Sequence, residues 1–212
     1  MQIIKPKINL NNLEDINNIK ENINKDIRKI ENKLIQNEVL NQEIYDYEIK
    51  SCKIKNITIL QGKLQNNSFI DTIFENCNFS NTSFENSSFI RCQFDNCKIA
   101  GCDFAETRIY NVTFKNVNAN YINLSMASIE NVSFDNTLLI ESNFQENKFK
   151  NIIFKEANLS KAQIFKTSFR NIDLSNSNIE GIAISKEDIK GAIIDKIQAI
   201  DLLYLLGVKI KE

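Results

Sequence analysis

The sequence predicts a tandem-repeat fold. From Ile44 to Ile184 every fifth residue falls in one unbroken register of twenty-nine positions, all Leu, Ile or Phe except Ala119. Thirteen of the fourteen phenylalanines lie on it, Phe69, Phe74, Phe79 and Phe84 among them. A second register, two residues earlier, carries small or β-branched side chains such as Thr72, Cys77, Thr82, Cys92, Val112 and Ala157. The remaining positions are polar. A period of five is neither the helix period nor the strand period, so the chain is read as repeats.

A unit of the form small–polar–Leu/Phe–polar–polar, repeated in tandem, resembles the pentapeptide-repeat family. The resemblance implies an all-β solenoid, a right-handed quadrilateral β-helix in which four units close one coil. Reading every twentieth residue then gives the columns. Phe74, Phe94, Phe114, Phe134 and Phe154 form one, Asn111, Asn131, Asn151 and Asn171 another, and Asn76, Asn96, Asn116 and Asn136 a third. At a strand spacing of about 4.8 Å, about seven coils make a rod roughly 30–35 Å long. Rings would stack inside it and Asn side chains would ladder outside.

Residues 1–41 leave the register of five. Leu13, Ile16, Ile23, Ile27, Ile30 and Leu34 recur at helical spacings, which predicts an amphipathic helical extension. Two roles are open to it: folding over the first coil to hide its open edge, or forming a short coiled coil between two chains, with Lys20 on the seam. The repeat region spans 42–185. Its first coil is ragged, since Gln42 and Tyr47 occupy small-residue positions. With only five Gly and one Pro, the turns fall to thirty-two Asn, which tolerate tight turns.

The five cysteines, Cys52, Cys77, Cys92, Cys97 and Cys102, all sit in the small inward register and read as buried free thiols. No CxxC pair or histidine accompanies them, so no metal is expected. The chain holds no His at all, which removes the usual general base. There is no phosphate-binding loop and no nucleophile paired with a base, so neither an enzyme nor a cofactor is expected. A net charge of −1 does not predict direct nucleic-acid binding. No apolar run reaches membrane-span length and the N-terminus lacks a secretory core, which predicts a cytoplasmic protein with no membrane partner.

Charge is segregated. Residues 67–147 hold ten acids, including Glu75, Glu85, Asp95, Asp103, Glu106, Asp135 and Glu146, against four bases. Residues 148–170 reverse this, with six bases against Glu156 alone. In the four-sided arrangement Glu85 and Asp103 share one wall, with Glu106 and Glu146 on its adjoining corner. These seven acids are the candidate interaction surface.

Residues 186–212 leave the repeat. Asp195 is a plausible N-cap, Ile197, Ala199, Ile200, Leu203 and Leu206 form a helical stripe, and Gly207 ends it. Val208 and Ile210 then alternate with lysines as a short edge strand. Leu202, Leu203, Leu205 and Leu206 are the candidate dimer contacts. This segment looks like the C-terminal segment of the Qnr- and MfpA-type quinolone-resistance proteins. That resemblance implies a tail-to-tail homodimer that binds DNA gyrase or topoisomerase IV by mimicking duplex DNA. The alternative is a generic protein–protein interaction scaffold of unknown partner, using an exposed column such as Ile70, Ile90 and Tyr110.

Overall fold

The computed structural model describes residues 2–16, 18–19, 27–41 and 43–208. The chain winds into a parallel β-solenoid of about eight turns. Each turn has four walls, here numbered in chain order by their inward side chains. Wall 1 is centred on Phe69, Phe89 and Ile109, and wall 2 on Phe74, Phe94 and Phe114. Wall 3 is centred on Phe79, Ile99 and Ala119, and wall 4 on Phe84, Phe104 and Leu124. Walls 1 and 2 carry paired strands, which fuse around their shared corner as Arg108–Lys115, Ser128–Asp135 and Lys148–Lys155. Walls 3 and 4 are held mostly by single parallel bridges such as Asn78↔Lys98 and Ser83↔Asp103.

Most corners place one residue in the left-handed backbone region, and Asn is the commonest residue at these sites. Asn76, Asn96, Asn116 and Asn136 lie at φ 53, 53, 53 and 48°. Asn adopts that conformation at less cost than other side chains, because its amide bonds locally. The Asn columns also ladder in part: Asn116 donates to Asn96, Asn136 to Asn116 and Asn151 to Asn131, at 3.2, 2.9 and 2.8 Å.

The interior is a stack of rings. Along wall 2, Phe74, Phe94, Phe114, Phe134 and Phe154 stack at 4.4, 4.9, 5.0 and 5.2 Å with ring planes within 14° of parallel. The small register hugs the corners, and many of its polar members are satisfied by the preceding coil, whereas Thr107 and Ser142 bond within their own coil. Thr82 and Ser87 donate to the carbonyls of Ile59 and Leu64, and Cys92, Cys97 and Cys102 donate to those of Phe69, Phe74 and Phe79. The thiols therefore do the work of the Thr and Ser hydroxyls. All five cysteines are free and buried.

Among the described residues of 1–41 the expected helical extension is corrected, Ile19 alone being α-helical. The described part of residues 1–41 carries strands at Glu14–Ile16, Lys29–Glu31, Lys33–Gln36 and Val39–Leu40, with a 3-10 turn at Leu10–Asn12. Ile23 and Lys20 lie outside the described residues. These strands continue the solenoid: Ile30 pairs with Ile49, Ile35 with Ile54 and Leu40 with Ile59. Those partners are nineteen residues apart, whereas Glu43 bridges Lys63 at twenty. One residue is missing between Leu40 and Ile44, so the coil before it obeys the same period out of phase.

Ahead of these strands the chain forms a strap along the corner between walls 1 and 2. The Lys7 amide donates to the Asp71 carboxylate at 2.8 Å, and the Ile4 amide donates to the Asn111 side chain at 3.2 Å. Asp71 and Asn111 are corner residues two coils apart. Three residues of extended chain cover about the same 10 Å as two rung spacings.

The other end is closed by helix α1 (Lys186–Ile189) and helix α2 (Lys196–Asp201), followed by a 3-10 turn at Leu203–Leu206 and a left-handed Gly207 at φ 69°. Asp195 caps α2 in a reciprocal box with Gln198. The Gln198 side chain also donates to the carbonyls of Leu174 and Ser177, and the Tyr204 hydroxyl to that of Ile182. These bonds satisfy backbone that the end of the rod would leave open. Val208 lies outside any strand, contrary to expectation, and Ile210 lies outside the described residues.

Candidate interaction surfaces

The solenoid divides the candidate acids between opposite walls. Glu75, Asp95 and Asp135 point outward from wall 2, at the register position just after Phe74, Phe94 and Phe134. Wall 2 is not an acidic surface. Lys53 and Lys55 bond Glu75 at 2.7 and 3.0 Å and hold its carboxyl below the usual range. Lys155 faces Asp135 at 3.5 Å.

Wall 4 is different. Glu85 and Asp103 stand on it, with Glu106 and Glu146 on its corner with wall 1 and Glu141 on its corner with wall 3. From Gln65 to Glu146 no Lys or Arg occupies this wall or either corner. Its acids are held mostly by neutral donors: Gln65 donates to Glu85 at 2.8 Å, and Asn123 donates to Asp103 at 2.9 Å. Asn143 continues that ladder onto Asn123 at 3.1 Å. Glu146, at the end of the stretch, is paired with Lys166 at 2.7 Å.

The apolar column of Ile70, Ile90 and Tyr110 on wall 1 is half-buried, beside the corner that the strap occupies. Asp71, at the corner between walls 1 and 2, is 4% exposed. Arg91 grips it with two bonds of 2.6 Å. Burial opposes its charge, but Arg91 and the Lys7 amide outweigh that and hold the carboxyl below its ordinary value.

At the C-terminal end the four candidate leucines do not form one surface. Leu202 is buried, Leu203 and Leu205 are half-buried, and Leu205 packs on the core of the rod. Leu206 is exposed. The outward apolar surface consists instead of Ile193, Ile197, Ile200, Tyr204, Leu206 and Val208, all more than half exposed. Helical periodicity places Leu202 and Leu206 on one stripe, but the helix ends at Asp201 and the 3-10 turn rotates the residues beyond it.

Among the described residues there is no cluster of His, Cys, Asp and Glu that could hold a metal, and no helix long and apolar enough to cross a membrane. The Cys52, Cys92 and Cys102 thiols are poor nucleophiles. Burial pushes Cys92 and Cys102 up to about 12 and Cys52 to about 11.

Two family models match the chain, one described as a pentapeptide repeat region over residues 87–164 and one as pentapeptide repeats in eight copies over 64–105. No curated protein sequence matches. Among solved structures, full-length QnrB1, a plasmid-mediated fluoroquinolone resistance protein, aligns at 17% identity over 85% of this chain and 100% of its own, with a TM-score of 0.35. A trypsin-treated QnrB1 aligns at 20% identity over 86% and 90%, with a TM-score of 0.43. HetL, a pentapeptide repeat protein involved in heterocyst differentiation regulation from the cyanobacterium Nostoc, aligns at 12% identity over 79% and 90%, with a TM-score of 0.33. The family matches run through the middle of the rod from residue 64 to 164, and over that stretch the chain matches the pentapeptide-repeat family.

Proposed function

We propose that this chain is a non-enzymatic binding rod that offers wall 4 to a protein groove built to hold duplex DNA. DNA gyrase and topoisomerase IV are the candidate partners, and quinolone protection the candidate outcome. The observation that carries the reading is the run of wall 4 and its two corners from Gln65 to Glu146, which bears Glu85, Asp103, Glu106, Glu141 and Glu146 and no base. Five carboxylates lie within three coil steps, or about 14 Å. A duplex carries one charge per about 1.7 Å, hence about eight over that length. The wall is a sparser polyanion than DNA, so its complex should lose affinity with salt less steeply than the DNA complex does.

The exposed apolar end formed by Ile193, Ile197, Ile200, Tyr204, Leu206 and Val208 supports a homodimer joined tail to tail. The scaffold surface of the alternative reading, the Ile70, Ile90 and Tyr110 column, is half-buried, as are Glu85 and Asp103 on wall 4. The test is titration of purified gyrase with the full-length protein from low to physiological salt. Saturable binding that weakens with salt and is competed by duplex DNA supports the reading. Binding that survives excess duplex places the partner's site elsewhere and rejects mimicry.

A further inference from the structure

Among the described residues from 43 onward the backbone ladder is interrupted on walls 1 and 2 between the Lys148–Lys155 strand and the coil of residues 168–176. In earlier coils the corner amides of Asp71 and Arg91 donate to the next coil at Ile90 and Tyr110, both at 2.9 Å. Those of Asn116 and Asn136 donate to Asp135 and Lys155 at 3.0 and 2.9 Å. The equivalent amides of Asn151 and Glu156 make no such bond. Looking the other way, Lys148 and Thr113 donate to Ala127 and Cys92 at 3.0 and 3.2 Å, whereas their counterparts Ser168 and Asp173 donate to nothing in the coil before them. Walls 3 and 4 stay bridged at Asn158↔Asn178 and through Gln163 and Ile164 to Ala183 and Ile184. The coil is therefore hinged open along two walls, leaving a cleft of about 450 Å³ lined by Asn151, Ile153, Lys155, Asn171, Asp173 and Asn176.

The side chains explain the opening. Closing the ladder would set Lys150 directly beside Arg170 on wall 1 and Ile153 beside Asp173 on wall 2, and like charges directly opposite one another destabilise a strand pair. On its closed edge the same strand pairs with Ser128–Asp135, where Glu130 meets Lys150 at 2.6 Å and Asp135 faces Lys155 at 3.5 Å. The two acids are five residues apart, matching the two lysines. On the open edge neither lysine has an acid.

We propose that this open edge is a docking site for an extended acidic peptide that adds as a strand, with two acids five residues apart lying beside Lys150 and Lys155. The guest's backbone would take up the free amides of Asn151 and Glu156, and its first acid would lie between Lys150, which Glu130 already pairs, and Arg170, and would pair Arg170. Strand addition draws affinity from main-chain bonds and specificity from side chains at fixed positions. The cleft volume is within the range of about 300–1,000 Å³ typical of binding pockets. The site is on walls 1 and 2 and is independent of the wall 4 reading.

The experiment uses the full-length protein and a fluorescein-labelled, end-blocked octapeptide with the sequence of residues 128–135, which already pairs with this strand on its other edge. Fluorescence anisotropy at low salt compares it with two controls. In one both acids become Lys, and in the other its central Val becomes Pro. Saturable binding of the parent peptide is expected, with both controls at least about tenfold weaker. Amide exchange at Asn151 and Glu156 should slow when it binds. A second protein, Arg170→Glu, places opposite charges across the opening. It should close the ladder, slow those same amides without any peptide, and weaken peptide binding at least about tenfold. Because that change favours pairing, lost binding cannot be put down to unfolding. Two results overturn the proposal: equal binding of the Pro control, which would show charge attraction alone, or no saturation by the parent peptide up to about 1 mM.

Discussion

Single residues in this rod gain their meaning from the residue one coil away. Phe114 lies between Phe94 and Phe134 at 4.9 and 5.0 Å and is 1% exposed. Truncation there removes ring contacts on both sides and leaves a void that parallel backbone rungs cannot close. Phe114→Ala should cost about 3–5 kcal/mol, read from denaturant unfolding. A loss under about 1 kcal/mol would contradict the stacked interior. Asp71 gives a prediction with a sign. Its native pKa is depressed, so its contribution to stability is present above the ordinary Asp value of about 4 and is lost as pH falls through the native value. The gap in melting temperature between wild type and Asp71→Asn should therefore be widest near neutrality and shrink below pH about 4. A gap that is constant down to pH about 2 would mean that Asp71 acts by shape alone.

At the scale of elements, the regular coils were legible because the period of five assigns every residue to a wall, a corner or the interior. The N-terminal coil was not. Ile30, Ile35 and Leu40 keep the same period, but the residue missing before Ile44 puts them out of phase with the rest. Ile16, Ile27, Ile30 and Leu34 meanwhile imitate a helical stripe. The strap was illegible for another reason: its anchors are backbone amides of Ile4 and Lys7, which carry no sequence signature. The C-terminal helix was recognisable from Asp195 and Gly207, yet of the four dimer candidates only Leu206 is exposed. Leu202 turns inward, while Ile197 is 72% exposed. If this end joins two chains, Ile197→Lys with Ile200→Lys should halve the mass seen by sedimentation and leave the melting of the rod nearly unchanged. A dimer that persists in that variant would move the joint elsewhere.

Over the whole molecule, charge has to be counted by wall and not by stretch of chain. The acids of residues 67–147 form one excess in sequence, but the solenoid sends Glu75, Asp95 and Asp135 to wall 2 among lysines and Glu85, Asp103, Glu106 and Glu146 to wall 4 or its corner. The spacing of twenty made that division readable. The broken ladder beside Lys148–Lys155 was not, because it depends on Lys150 and Arg170 meeting one coil apart. The most direct test of the proposed function is a gyrase supercoiling assay comparing wild type with Glu85→Lys, Asp103→Lys, Glu106→Lys and Glu146→Lys combined. All four side chains point away from the core, so the variant should retain the wild-type circular dichroism spectrum. Wild type should alter supercoiling at low salt and shield gyrase from a quinolone, and the folded variant should do neither. A wild-type protein that leaves gyrase untouched at micromolar concentration, or a folded variant as active as wild type, would contradict binding through wall 4.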